Sequence, residues 1–161
     1  MGADPYCYYI DYEEDKNSAL QKLRQREFDA GRYFPIMDKW DIPYALDNLS
    51  LPVAPAPGKR HEFINEVFED EDTLEEGTYS ILDLIEISYE LKRGAAYVLM
   101  KEELIEYLGT DKPTREIIED KIEDYYDYLV EVFTIRGVGV CITVYKDDVP
   151  TGLYFGGHTY D

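Results

Sequence analysis

VGVCITVYKDDVPTGLYF, residues 138–155, decides the architecture. Residues 138–145 are β-branched and apolar, residues 146–151 are polar and contain Pro150, and residues 152–155 turn apolar again. This pattern predicts two strands folded back as a C-terminal β-hairpin, closed by Gly156-Gly157. Immediately upstream, Thr114 is placed to cap a long helix over 114–132, where Ile118, Ile122, Tyr125, Leu129 and Val132 recur at the spacing of one buried face. Further upstream, AAYVLM (95–100) has the length of a buried strand, and 101–108 reads as a short helix followed by the loop GTDKP.

At the other end, PYCYYIDY (5–12) alternates Tyr6, Tyr8, Ile10 and Tyr12 with Cys7, Tyr9 and Asp11, a strand pattern. Asn17 or Ser18 can cap a helix over 17–30 that stops at Gly31. Residues 61–69 read as a short helix, EDEDTLEEG (69–77) as an acidic turn, and GTYSILDLIEIS (77–88) as a strand on its β-branched content. The resulting order lacks the steady β-α alternation of a doubly wound fold. It predicts an α+β domain spanning 1–161, with a mixed or antiparallel sheet, helices packed mainly on one face, and a proline-rich loop at about 35–58.

The chain carries 35 acidic and 16 basic residues, a formal charge of −19, while remaining 45% hydrophobic with 16 tyrosines. Such a composition describes a folded acidic domain that repels nucleic acid and anionic lipid and attracts cationic surfaces. The first residues have no basic start or apolar run of a signal peptide, no stretch approaches a bilayer span, and Cys7 and Cys141 sit far apart without a CxxC. A cytoplasmic protein with two reduced thiols, no membrane contact and no direct nucleic-acid binding is expected.

No motif of specific chemistry is present. His61-Glu62 opens like HExxH, but Asn65 stands where the second histidine belongs. The carboxylates of 66–76 lack the glycine placement of a calcium loop, and no GxSxG, Ser-x-x-Lys or phosphate loop occurs. No cofactor or metal is therefore expected. The basic residues Lys22, Arg24, Arg26 and Arg32 form one island, whose simplest role is pairing with nearby carboxylates.

The candidate surface lies on the long helix. Opposite the apolar stripe stand Glu116, Asp120, Glu123, Asp127 and Glu131, an acidic ridge, and Tyr126 falls off the stripe as a contact residue. Acids four apart are about 6 Å apart along a helix, too sparse to imitate duplex DNA at about 1.7 Å per charge. Docking on a basic protein, as an immunity or inhibitor protein does, is the expected function. The alternative is a hydrolase or transferase whose site is assembled from His61, His158 and Asp161.

Four blocks, LQKLRQREFDAGRYFP (20–35), GTYSILDL (77–84), LGTDKPT (108–114) and VYKDDVPTGLYFGGHTYD (144–161), resemble a family of uncharacterised bacterial proteins. The resemblance implies a bacterial, single-domain protein and brings no activity or catalytic residue with it.

Overall fold

A computed structural model describes residues 5–42, 45–47, 61–133 and 137–159. The fold is α+β, built on one mixed sheet. Its strands are β1 (Pro5–Asp11), β2 (Ala45–Asp47), β3 (Glu86–Ser88), β4 (Ala95–Val98), β5 (Gly139–Lys146) and β6 (Val149–His158), in the spatial order β2-β1-β6-β5-β4-β3. β6 runs antiparallel to both β1 and β5, while the β1–β2, β3–β4 and β4–β5 pairs are parallel. The C-terminal hairpin is longer than its apolar runs imply. Asp147 and Asp148 both adopt positive φ (52° and 62°), giving a two-residue turn whose twist matches the strands and lets pairing begin at Lys146 and Val149.

The helices are α1 (Lys16–Ala30), α2 (Glu71–Glu76), α3 (Lys101–Leu108) and α4 (Arg115–Phe133), with 3-10 turns at Ile64–Glu69 and Ile81–Asp83. They cover both faces of the sheet, where the sequence reading placed them mainly on one. The reason lies in the central strands. Leu153 and Phe155 of β6 pack with Tyr6, Tyr8 and α1, whereas Tyr154 packs with Val140, Ile142, Val144 and α4. A strand that is apolar at consecutive positions needs a layer on each side.

Asp15, not Asn17 or Ser18, caps α1, accepting from the Ser18 backbone N–H at 3.0 Å, and Gly31 ends the helix at φ 72°. Three of the four bases of the island turn inward, while Lys22 is exposed and pairs with Glu13 at 2.8 Å. Glu27 is fully buried and accepts from Arg32 at 2.5 and 2.9 Å and from Arg26 at 2.8 Å, while Arg24 donates to the Leu82 carbonyl at 3.2 Å.

The strand expected over 77–88 shrinks to β3. Upstream of it, the Asp83 carboxylate accepts from the Thr78 N–H and hydroxyl (2.7 and 2.8 Å), and Ser80 Oγ accepts from the Leu82 N–H (3.2 Å). These side chains compete with a ladder for the backbone groups and wind the segment into a turn. Of the proline-rich loop, residues 35–42 and 45–47 are described and the remainder lies outside the described residues. No helix among the described residues is long and apolar enough to cross a membrane.

Candidate functional site

α4 lies over β5 and β6, burying Ile118, Ile122, Tyr125 and Leu129 against Val140, Ile142 and Tyr154. Its apolar stripe is too narrow to reach β1 as well. Cys7 and Tyr9, which alternation turns to the same face, therefore stay half-buried, and a cleft of about 450 Å³ opens between α4 and β1.

Aromatic rings form the floor. The hydroxyls of Tyr126 and Tyr154 share a hydrogen bond of 2.8 Å. Tyr9 packs on Tyr154 with ring centroids 5.1 Å apart, and His158 packs on Tyr126 at 4.7 Å. Gly156 makes the arrangement sterically feasible, because a Cβ there would overlap both tyrosine hydroxyls. Burial pushes both hydroxyls well above the ordinary tyrosine range, so they remain protonated donors.

One wall is acidic. Glu119, Glu123 and Asp127 of α4 line the cleft with Arg115. The Arg115 guanidinium carbon lies 4.2 Å from the centroid of the Tyr9 ring, and its Nε donates to Glu119 at 2.7 Å. Neither Glu123 nor Asp127 has an ion-pair partner among the described residues. Arg115 and Tyr9 also border a second cleft, of about 520 Å³, that includes Glu116 and Lys146. The two clefts adjoin along β1.

The structure thus divides the ridge read from the sequence. Glu123 and Asp127 join the cleft wall. Glu116 belongs to the second cleft, where its own backbone N–H and then Thr114, Arg115 and Lys146 hold its carboxyl below the usual range. Asp120 is exposed and lines neither cleft, and the side chain of Glu131 lies outside the described residues. Tyr126 is 6% exposed and belongs to the core, meeting the cleft only as floor. The buried face of α4 includes Tyr126 beside the Ile118, Ile122, Tyr125 and Leu129 of the expected stripe.

The two histidines are not brought together. His61 sits on the α1 side, its Nδ1 2.9 Å from the Tyr33 hydroxyl and its Nε2 3.8 Å from Asp70; His158 lies on the α4 side, and Asp161 is outside the described residues. Cys7 and Cys141 form no disulfide and face opposite sides of the sheet. Among the described residues no group of three or more histidine, cysteine or carboxylate side chains could hold a metal ion. No protein-family model, curated protein or solved structure matches this chain.

Sequence reasoning overlooked Arg115, Glu119, Tyr9 and Tyr154. A usable signal existed for some of them: alternation puts Cys7 and Tyr9 on one face, and Arg115, Glu119 and Glu123 recur every fourth residue.

Proposed function

We propose that this protein is a non-enzymatic binding protein that docks on a basic protein through the cleft between α4 and β1. The carrying observation is the union, in one concave site, of carboxylates without a partnering base (Glu123 and Asp127) with a floor of tyrosines. Aromatic rings give contact area at low entropic cost, and a focused negative wall speeds capture of a cationic partner. Blocking a basic toxin or nuclease, as an immunity or inhibitor protein does in the cytoplasm, fits this chemistry. The test compares the chain with its Glu123→Gln/Asp127→Asn variant as bait at about 50 mM and about 500 mM salt, a range that screens exposed charge. A partner held by the wild type, lost at high salt and lost by the variant supports the reading. Retention indifferent to both salt and variant refutes it.

One observation favours a second reading. In the β1–β6 register Cys7 faces Gly156 and Pro5 faces His158, so Cys7 and His158 are diagonal neighbours in the same cleft. A thiol with an adjacent imidazole is the minimal equipment of a hydrolase or transferase nucleophile. Trapping of an acylated Cys7 by an activated ester, abolished by His158→Ala, would move the assignment to that class.

A further inference from the structure

The cleft already contains one guanidinium, and how it is held shows what the site accepts. Arg115 lies over the Tyr9 ring at 4.2 Å while its Nε meets Glu119 at 2.7 Å. A planar cation thus has an aromatic face below it and a carboxylate at its edge. One helical turn further along, about 6 Å up the axis, the same parts recur: Glu123 and Asp127 stand on the wall, and the half-buried imidazole of His158 backs onto Tyr126. No base of the described residues pairs with either carboxylate there.

We infer that the end of the cleft framed by Glu123, Asp127, Tyr126 and His158 seats an arginine side chain of the partner. This rests on the docking reading above and narrows it from any cation to a guanidinium. Arginine is favoured over lysine on three physical grounds. Its plane stacks on aromatic rings, its fork meets two carboxylate oxygens at once, and its weaker hydration lowers the cost of entering a cleft with an apolar floor. An ammonium would satisfy the charge but neither the plane nor the fork. Glu119, already engaged by Arg115, is left out of the seat and fixes the near edge of the cleft.

The experiment titrates the full chain with three capped pentapeptides, Gly-Gly-X-Gly-Gly, in which X is arginine, lysine or citrulline. Binding is followed by NMR shifts of the His158 imidazole and of α4 amides. The arginine peptide is expected to bind about tenfold more tightly than the lysine peptide, with citrulline silent. The Glu123→Gln/Asp127→Asn variant, checked for an unchanged circular dichroism spectrum, is expected to lose that binding. Equal binding of arginine and lysine peptides overturns the guanidinium seat and leaves cation docking standing. Silence from both removes the seat, while the docking reading stands or falls on the bait experiment at low and high salt. An arginine preference that survives in the variant places the seat elsewhere and refutes the assignment.

Discussion

Replacing Asp83 by asparagine is expected to remove a pH dependence that the fold builds in. The Asp83 carboxyl is fully buried, with one oxygen accepting from both the N–H and the hydroxyl of Thr78. Burial pushes its pKa up to about 7 from an ordinary 3.8, while Thr78 and then Arg24 and Arg93 pull the other way. Between about pH 4 and 7 the native carboxyl keeps a proton that the unfolded chain has released. Folding then takes up a proton, and stability falls as pH rises through that window. Below it both states are protonated, and above it both are ionised.

At about 1.4 kcal/mol per pH unit, the whole window amounts to about 4 kcal/mol, of which about 3 falls between pH 4.5 and 8. Asparagine keeps the oxygen that accepts from Thr78 but cannot ionise. The assay is urea unfolding of both proteins across that range, comparing differences so that the many other carboxylates cancel. The wild type should lose about 3 kcal/mol relative to Asp83→Asn on going from pH 4.5 to 8. Parallel stability curves would refute the reasoning, because they would mean that Asp83 ionises equally in both states.

Glu27→Gln should cost about 3–5 kcal/mol in urea unfolding, because it strands Arg32 in a buried site; a loss below 1 kcal/mol would show that the Glu27–Arg32 contact is solvated. Gly156→Ala should cost about 1–3 kcal/mol and alter the near-ultraviolet circular dichroism of the tyrosines, since a methyl there displaces the Tyr126 and Tyr154 hydroxyls; an unchanged tyrosine signal would contradict the cleft floor described. A thiol reagent should label Cys7 in the native protein and leave Cys141 unmodified until unfolding, because burial pushes the Cys141 thiol up to about 12. Peptide mapping that found both cysteines labelled at similar rates would count against this packing.

Element identity was legible wherever local pattern and tertiary demand agreed. The helix expected over 101–108 and the first strand coincide with α3 and β1 to within a residue, because capping, glycine stops and alternation are local. Residues 77–84 were not legible as a turn: their β-branched content points to a strand, and only burial shows Thr78, Ser80 and Asp83 bonding among themselves. The cleft was half legible. Its acidic wall could be read from one helix, whereas its floor needs β1 to pair with β6 across the whole chain, a contact no local pattern specifies. The basic island of α1 shows the converse: of a cluster conspicuous in sequence, Arg26 and Arg32 pair with buried Glu27, Arg24 meets the Leu82 carbonyl, and Lys22 pairs with Glu13.

Charge on α4 carries a cost in helix stability, and this makes the functional reading testable through stability alone. Glu119, Glu123 and Asp127 succeed one another at four-residue spacing, and Asp120 and Asp124 stand three residues before Glu123 and Asp127. Each like-charged pair at these spacings destabilises a helix by about 0.2–0.5 kcal/mol. Of the α4 carboxylates whose side chains are described, only Glu119 is ion-paired, through Arg115. Neutralising Glu123 and Asp127 together relieves these four pairs and the Asp127–Glu131 pair at the same four-residue spacing, so the double variant should be more stable than the wild type by about 1–2 kcal/mol while losing its partner. A surface kept for binding carries this combination, gaining stability as it loses function. If the Glu123→Gln/Asp127→Asn chain unfolds at lower urea than the wild type, those acids hold the fold together, and the cleft loses its claim to be a recognition site.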